Sequence, residues 1–240
     1  DVVSDLTGFA ITTFTVPLAK LASMLPRALE PTALTLDSGV RVGMVSAVTF
    51  LNTEFRVSFA PFIRLVAAQT NYRAYVRRGD EDAVWFFGTM LASPFVVLPR
   101  YAWALPWAYG RVTRAMAFDV DGHCTDYAHH AICEHGEEHL EAVGTRVPMG
   151  RLDGFADARE SARVLTHPLV GYVARTRGGH VTYGVDHEAL ALERADATVA
   201  RYTFFERLGL VAPDQEAHSV LVMPSTHFVV RLPPARVDLG

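Results

Sequence analysis

The sequence predicts a mainly β protein of the α+β class, with an antiparallel sheet or barrel of about ten strands and several helices packed outside it. Short runs of β-branched and aromatic residues recur along the chain and are separated by turn-forming residues. Two pairs of these runs have the spacing of hairpins. The regular strand–helix alternation of a doubly wound fold is missing. No linker or internal repeat divides the sequence, so we expect one domain over residues 1–240.

The first quarter of the chain indicates two strands with a short helix between them. Residues 8–15 are rich in Phe, Ile and Thr, which favours a strand. Residues 16–25 place apolar side chains at helical spacing and end before Pro26. Residues 40–50 form a nearly continuous β-branched run, which predicts a strand buried on both faces. We expect residues 60–68 to form one or two helical turns.

The clearest hairpin joins residues 69–76 to residues 83–89 through the turn at 77–80. Because successive side chains of a strand point to opposite faces, Asn71, Arg73 and Tyr75 share one face. The other face is apolar and suited to packing. A polar face within such an apolar region predicts either a polar-lined lumen that binds a ligand or a plain solvent-exposed face, because unpaired buried polar groups are costly.

The remaining elements follow no regular order. Helices are predicted over residues 93–104, with Ser93 as the N-cap, over 157–165, and over 194–208, where Gly209 ends the helix. A second hairpin joins residues 170–176 to 180–185 through a glycine-rich turn. Single strands are predicted over residues 109–119, 125–134, 139–147, 219–223 and 227–232.

Composition excludes several classes of protein. Apolar residues make up 50% of the chain and the net charge is only -4, so a disordered chain is excluded. With a pI near 6.2, the chain has no general basic field for nucleic acid or anionic lipid. The most apolar stretch, residues 85–110, is broken by three prolines and Arg100, which argues against a membrane span. Two cysteines are too few for a disulfide scaffold. We therefore expect a cytoplasmic protein without a nucleic-acid or membrane partner.

The motifs of common nucleotide enzymes and serine hydrolases are missing, since the sequence contains no GxGxxG, GxxxxGK[ST] or GxSxG. Histidines and cysteines cluster between residues 123 and 139. On a strand, His129, Cys133 and His135 would share one face, and these are zinc-type ligands. Without CxxC or HExxH spacing, an exposed hairpin with incidental histidines is the simpler interpretation. We predict no metal or other cofactor and keep a metal-assisted lyase as a minor alternative.

Five further residues are candidates for a site. Glu54 is either part of a surface ion pair or a buried carboxylate that moves a proton. His187, just after the second hairpin, is either a general base or a hydrogen-bonding residue at a strand end. Tyr109 and Arg111 share a strand face and would add a phenol and a second cation to a lumen. Trp85 is either a core aromatic or a wall of the ligand site.

Several segments, in this order, resemble the acetoacetate decarboxylase-like superfamily. They are FAITTFTVPLAKLASMLPRALEP, VRVGMVSAVTF, NYRAYVRRGDEDAVWFFGTMLAS, LPWAYGR and STHFVVRLPPARV, and together they cover about residues 8–237. NYRAYVR, VWFF and LPWAYGR are most similar to a bacterial branch that carries only a domain-of-unknown-function label. The resemblance implies a cone-shaped antiparallel β-barrel, helices outside it, a ligand pocket in the lumen, and oligomers.

The same resemblance shows what this chain lacks. The decarboxylases form a Schiff base through a lysine whose pKa is lowered by an adjacent lysine. That pair would fall within residues 93–106, SPFVVLPRYAWALP, which contain no lysine. Lys20, the one lysine among 22 cationic residues, matches a position on an early outer helix. Of two active-site glutamates in that family, one would fall near Gly43 and is missing, and the other falls near Glu54.

These observations predict a lyase, dehydratase or cyclase that acts on an oxo-acid or polyketide-like carbonyl compound without Schiff-base catalysis. Arg73, with Arg111, would hold a carboxylate or enolate oxygen, and Glu54 or His187 would move the proton. The substrate-binding set is completed by Asn71, Tyr75, Trp85 and Tyr109. The alternative is a non-catalytic binding protein for an apolar carbonyl ligand. The expected partners are a small molecule and further copies of the chain in a homo-oligomer.

Overall fold

The computed structural model describes residues 1–57 and 60–240. Strands dominate this part of the chain, which confirms the prediction of a mainly β protein. The described strands are β1 (Val2–Val16), β2 (Glu30–Pro31), β3 (Leu34–Thr35), β4 (Arg41–Val57), β5 (Ala60–Arg78), β6 (Glu81–Leu91), β7 (Trp107–Phe118), β8 (Cys124–Cys133), β9 (Gly136–Pro148), β10 (Val170–Ala174), β11 (His180–His187), β12 (Glu193–Tyr202), β13 (Ser219–Val230) and β14 (Ala235–Val237). The described α-helices are α1 (Leu18–Ala22), α2 (Val97–Ala102), α3 (Ala158–Thr166) and α4 (Thr203–Arg207).

Strand pairing closes the sheet into two rings that share one wall. The shared wall consists of β13, β1, β4, β5 and β6, in that order. Strands β7, β8, β9 and β12 connect β6 back to β13 and complete a nine-strand ring. Strands β10 and β11 connect the same two edges and complete a seven-strand ring. The two rings therefore enclose two separate interiors.

Each edge strand of the shared wall divides its length between the two rings. Strand β6 pairs with β10 at residues 84–86 and with β7 at residues 89–91. Strand β13 pairs with β12 at residues 221–222 and with β11 at residues 228–230. The two separate C-terminal strands that we predicted are therefore one continuous strand with two partners. Both of these contacts of β6 are parallel, so the prediction of a purely antiparallel sheet is wrong at this edge.

The shared wall is buried on both faces because its side chains alternate between the two interiors. In β4, Val48 and Phe50 face the seven-strand ring, whereas Ala47 and Thr49 face the nine-strand ring. All four side chains are buried. Residues 42–50 are buried on both faces, as predicted for residues 40–50, whereas Val40 and Arg41 at the start of this stretch are exposed. Double burial also explains why this stretch is continuously apolar instead of alternating.

Two predicted helical stretches are strands in the structure. Residues 60–68 belong to β5, in which Leu65 is buried and Val66 is exposed, as expected for strand alternation. Residues 194–202 belong to β12, which pairs with β9 along most of its length. The β-branched pair Thr198 and Val199 favours this extended form. Only Thr203–Arg207 is helical there, and Gly209, with a positive φ of 66°, follows the helix end.

The other predicted helices are present, and two helical segments begin at side-chain caps, of which Ser93 was predicted. The Asp157 side chain accepts a hydrogen bond of 2.8 Å from the backbone N–H of Glu160 at the start of α3. Ser93 caps the 3₁₀ turn Pro94–Val96, which leads into α2. These helices are short. Among the residues that the structure describes, no helix is both long and apolar enough to cross a bilayer.

Candidate ligand cavity

The seven-strand ring encloses a cavity of about 510 Å³. Every strand of this ring contributes to its lining, together with residues from the α2 segment and from the C-terminal segment 232–234. Most lining side chains are apolar, among them Phe50, Phe86, Trp107 and Phe228. A mostly apolar cavity of this size with a few polar groups is the usual form of a small-molecule site.

Arg73 is the one arginine in the described lining of this cavity, as the alternation of β5 predicts. Its Nη2 donates a hydrogen bond of 2.8 Å to the carbonyl of Leu165, in the last turn of α3, and lies 3.3 Å from the Tyr75 hydroxyl. Its Nε is buried without a hydrogen-bond partner. No carboxylate in the described part of the chain pairs with it. An uncompensated guanidinium beside an apolar cavity suits a carboxylate or a polarised carbonyl oxygen.

A buried chain of hydroxyl groups holds Tyr75, and Tyr75 supports Arg73. The Tyr75 hydroxyl is 2.9 Å from Ser46 Oγ, which is 2.8 Å from Thr13 Oγ1. The same hydroxyl is 3.4 Å from the Leu165 carbonyl, and the Arg73 guanidinium lies 5.3 Å from the centroid of the Tyr75 ring. Tyr75 is not among the cavity-lining residues. Its predicted contact with the ligand is therefore corrected to a positioning role.

A row of amide side chains crosses one wall of the cavity. Asn52 Nδ2 donates to Gln69 Oε1 at 3.3 Å, and Gln69 Nε2 donates to Asn71 Oδ1 at 2.9 Å. Asn71 Oδ1 also accepts a hydrogen bond of 3.1 Å from the Thr89 hydroxyl. The Asn71 oxygen is thus fully engaged, while its Nδ2 donates to no described residue. Asn71 therefore lines the cavity with an amide donor available to a ligand oxygen.

Tyr183 is a cavity residue that the sequence patterns described above did not indicate. Its ring stacks on Phe86 with centroids 5.4 Å apart, and its hydroxyl bonds to no described residue. Burial raises the pKa of Tyr183 well above its usual range, and the charge of Arg73 opposes this only in part. The phenol therefore stays protonated and acts as a donor. The signal that would have found it is its position four residues before His187 on one strand, which places both on the same face.

His187 lines the cavity, between two other rings. Its ring centroid is 4.5 Å from that of Phe228 and 5.8 Å from that of His167, and its Nδ1 is 2.7 Å from the carbonyl of Glu188. Burial lowers the pKa of His187, backbone carbonyls oppose this, and the charges of His167 and Arg73 add to the lowering. The neutral imidazole is therefore the favoured form near neutral pH.

Three predicted site residues lie on strand faces that point away from this cavity. Trp85 pairs across the sheet with Ala74, on the face opposite to Arg73, and packs near His180 with centroids 5.9 Å apart. It is a core aromatic. Tyr109 is 51% exposed and Arg111 is also exposed, because both lie on the outer face of β7. The prediction that these side chains share a lumen with Arg73 is therefore wrong.

Glu54 also lies outside the described lining of the cavity. A register shift in the pairing of β4 with β5, between Asn52 and Phe55, interrupts the alternation of this strand. Asn52 and Phe55 both line the cavity as a result, and Glu54 instead forms an ion pair with Arg56. Its carboxylate is about one-third exposed. The structure therefore favours the interpretation of Glu54 as part of a surface ion pair.

Lys20 is exposed on α1 and does not line the cavity. The histidine- and cysteine-rich hairpin makes contacts within the protein instead. His129 Nε2 is 2.8 Å from the buried Glu138, and His135 Nε2 is 3.3 Å from the carbonyl of Pro106. Among the described residues, no group of three His, Cys, Asp or Glu side chains is arranged to hold a metal ion.

The family relationship follows from the sequence match. A family model, DUF2071, described as an uncharacterized conserved protein, matches residues 4–227. The chain belongs to the DUF2071 family. A comparison with curated proteins gives no match.

Solved structures share the fold of this DUF2071 protein at low sequence identity. An acetoacetate decarboxylase from Legionella pneumophila has a TM-score of 0.65 at 9% identity, over 99% of this chain and 88% of its own. An acetoacetate decarboxylase-like enzyme from Sphingomonas wittichii RW1 has a TM-score of 0.60 at 13% identity, over 100% and 94%. The enduracididine biosynthesis enzyme MppR with bound HEPES has a TM-score of 0.61 at 11% identity, over 98% and 88%. The resemblance to the acetoacetate decarboxylase-like superfamily is thereby confirmed at the level of the fold.

Proposed function

We propose that this DUF2071 protein is a lyase, dehydratase or cyclase that acts on an oxo-acid or polyketide-like carbonyl compound in the seven-strand ring. One observation carries the proposal: the Arg73 guanidinium lines an apolar cavity without a carboxylate partner among the described residues, and a neutral phenol and imidazole line the same cavity. Proteins of the same fold support the substrate class, since they include an acetoacetate decarboxylase and an enzyme solved with pyruvate.

The proposed roles follow from the chemistry of each group. Arg73 binds the carboxylate or the oxygen that becomes an enolate, where a fixed positive charge stabilises developing negative charge. Tyr183 and Asn71 donate hydrogen bonds to a second ligand oxygen. His187 removes the proton next to the carbonyl, because its lowered pKa keeps the imidazole unprotonated near neutral pH. Glu54, paired with Arg56, has no part in this scheme.

The reaction proceeds without a Schiff base, because the described lining of the cavity contains no lysine amine. We expect that borohydride added with acetoacetate traps no covalent adduct on Lys20, as measured by mass spectrometry of the intact protein and of its tryptic peptides. A Lys20→Arg variant provides the blank. An adduct on Lys20 that appears only with the oxo acid would contradict the proposed chemistry.

The pH dependence of turnover follows from the lowered pKa of His187. A general base works in its deprotonated form, so kcat/KM is expected to rise with pH and to reach its plateau after a midpoint below 6.5. His187→Asn should remove this acidic limb and lower kcat at least about 100-fold. His180→Asn, at the other end of the same strand, is the control. An acidic limb that persists in His187→Asn would assign the base to another residue.

The functional test is turnover of 3-oxo acids of increasing chain length, followed by NMR for loss of the substrate signals. We expect turnover by the wild-type protein that depends on Arg73 and His187. Exchange of the C2 protons with deuterium faster than in a protein-free blank would reveal the enolate even where no carbon–carbon or carbon–oxygen bond is broken. The catalytic proposal would be wrong if the protein neither accelerated the exchange of C2 protons nor converted any of the oxo acids.

A second candidate function is a non-catalytic binding protein for an apolar carbonyl ligand. It is favoured by the long apolar lining and by the position of Glu54, which leaves the described lining without its predicted acid. Native mass spectrometry of the purified protein discriminates the two functions. A tightly retained ligand that is released unchanged indicates a binding protein, whereas conversion of added substrate indicates an enzyme.

We further infer that the chain forms one domain, that its closed strands make the cone-shaped barrel implied by the superfamily, and that it acts in the cytoplasm as a homo-oligomer. The continuity of strand pairing around both rings supports the first two inferences. Sedimentation analysis of the purified protein tests the oligomer directly.

A further inference from the structure

We propose that the nine-strand ring contains a second binding pocket, in which Arg114 binds the carboxylate of a small molecule with an apolar body. The pocket is an open cavity of about 400 Å³ at one end of this ring. Its described lining comes from β1, β4, β5 and β7 and from Ala92, just after β6. It shares no described lining residue with the cavity around Arg73. The proposal is therefore independent of the function proposed for the seven-strand ring.

The alternation of β7 places Arg114 in this ring. Val112, Arg114 and Met116 line the pocket, whereas Arg111 and Thr113 are exposed on the outer face. Charged side chains on such an inward face are uncommon, because burial of a guanidinium without a partner is costly. An arginine on the inward face of an otherwise apolar strand segment therefore needs a compensating group.

A bulge in β1 partly supplies that group. The register of β1 against β4 shifts between Thr7 and Ala10, and Gly8 there adopts a positive φ of 55°. The Gly8 carbonyl consequently accepts hydrogen bonds from Arg114 Nη2 at 2.7 Å and from the Tyr127 hydroxyl at 2.9 Å. The positive φ favours glycine at residue 8, and a Cβ there would also lie only 2.0 Å from the sulfur of Met116, so this flexible side chain would have to move.

The described residues satisfy one of the three guanidinium nitrogens of Arg114 and leave the other two without a partner. Nη2 bonds to the Gly8 carbonyl and lies 3.1 Å from the Tyr127 hydroxyl. Nε and Nη1 are buried and have no hydrogen-bond partner among the described residues. No carboxylate in the described residues pairs with Arg114. A ligand carboxylate would supply two acceptor oxygens and the missing negative charge, which is the pairing that a guanidinium fork favours.

The chemistry of the walls narrows the ligand class. Apart from Arg114, Thr7 is the one polar side chain in the described lining, and the rest is aliphatic or methionine. A single cation in the described lining suits a monocarboxylate better than a phosphate or a dicarboxylate. The apolar walls favour a short aliphatic or aromatic body. Met116 lies against Arg114, with its sulfur 3.4 Å from Nη2, and a rotation of this flexible side chain opens the guanidinium to the pocket.

Titration with hexanoate tests this proposal by calorimetry. We expect two independent binding events on the wild-type protein, since Arg73 and Arg114 occupy separate cavities. Arg114→Met should remove one event and Arg73→Met the other. Arg111→Met, on the outer face of the same strand, is the matched control and should retain both. 1-Hexanol, which has the same chain without the charge, should show no event that depends on Arg114.

A steric variant covers the case in which Arg114→Met fails to fold. Val66 lines the pocket and is 64% exposed, so Val66→Trp narrows the entrance without disturbing the core. It should abolish the Arg114-dependent event and keep the Arg73-dependent one. The proposal is overturned if hexanoate gives one event that Arg73→Met abolishes, or if folded Arg114→Met and Val66→Trp proteins still bind at both sites. If the wild-type protein shows only the event that depends on Arg114, the result would contradict the site proposed at Arg73 and leave the second pocket supported.

Discussion

Replacement of Arg73 by methionine is expected to weaken binding of 3-oxohexanoate about 100-fold. Arg73 is the one arginine in the described cavity lining, and no carboxylate of the described residues pairs with its guanidinium. A buried charged hydrogen bond to a ligand carboxylate contributes about 3 kcal/mol, which corresponds to this change in Kd. Methionine keeps the length and the apolar stem of the side chain, so the cavity should retain its shape. Calorimetry of both proteins under the same conditions measures the effect.

Two further variants show whether the effect belongs to this guanidinium. Arg111→Met removes an arginine from the outer face of β7 and should leave the Kd of 3-oxohexanoate unchanged. Tyr75→Phe removes the hydroxyl that lies 3.3 Å from Arg73 Nη2 and should weaken binding less than Arg73→Met, because the Leu165 carbonyl still holds the guanidinium. Equal Kd values for the wild-type and Arg73→Met proteins would remove Arg73 from the site.

Replacement of Glu138 by alanine is expected to lower the free energy of unfolding by about 3–5 kcal/mol, the range for a broken buried polar pair. Glu138 is 1% exposed inside the nine-strand ring. Its carboxylate accepts hydrogen bonds from the hydroxyls of Tyr72 and Thr70, the latter at 2.6 Å, and lies 2.8 Å from His129 Nε2. Removal of this carboxylate takes a hydrogen-bond acceptor from three buried polar groups, and each loss carries a desolvation cost. Urea denaturation followed by fluorescence measures the loss.

Glu137 provides the control for this prediction, because it precedes Glu138 on β9 and points outward. Its carboxylate pairs with the exposed His130 at 2.8 Å, and such surface pairs contribute about 0–1 kcal/mol. The free energy of unfolding of the Glu137→Ala protein should therefore lie within about 1 kcal/mol of the wild-type value. A Glu138→Ala protein as stable as Glu137→Ala would mean that the buried network contributes nothing to the fold.

Much of the fold could be predicted because strand signals are local. The hairpin of β5 and β6 follows from the alternation in residues 69–76 and from the turn at Gly79 and Asp80. The double burial of β4 follows from its continuous apolar run. The extended form of residues 194–202 could not be predicted in this way, because their apolar spacing also fits a helix. The extended form is stabilised by pairing with β9, which is distant in the sequence.

The candidate site was predicted in part, because the face of a side chain depends on register. In a hairpin with a two-residue turn, Arg73 lies opposite Phe86, and Trp85 lies opposite Ala74. The turn length was visible in the sequence, so Phe86 could have been selected in place of Trp85. The register shift that turns Glu54 out of the cavity leaves no such signal, since it arises from the pairing of β4 with β5.

The central claim is that Arg73 is the ligand-binding group of a cavity that works without a Schiff base. A crystal structure of the protein soaked with 3-oxohexanoate tests it most directly. We predict a noncovalent ligand in the seven-strand ring, with a carboxylate or carbonyl oxygen within hydrogen-bond distance of Arg73 and its alkyl chain against the apolar wall. The claim would be contradicted by a ligand bonded covalently to Lys20. It would also be contradicted by a ligand that binds elsewhere at saturating concentration and leaves this cavity empty.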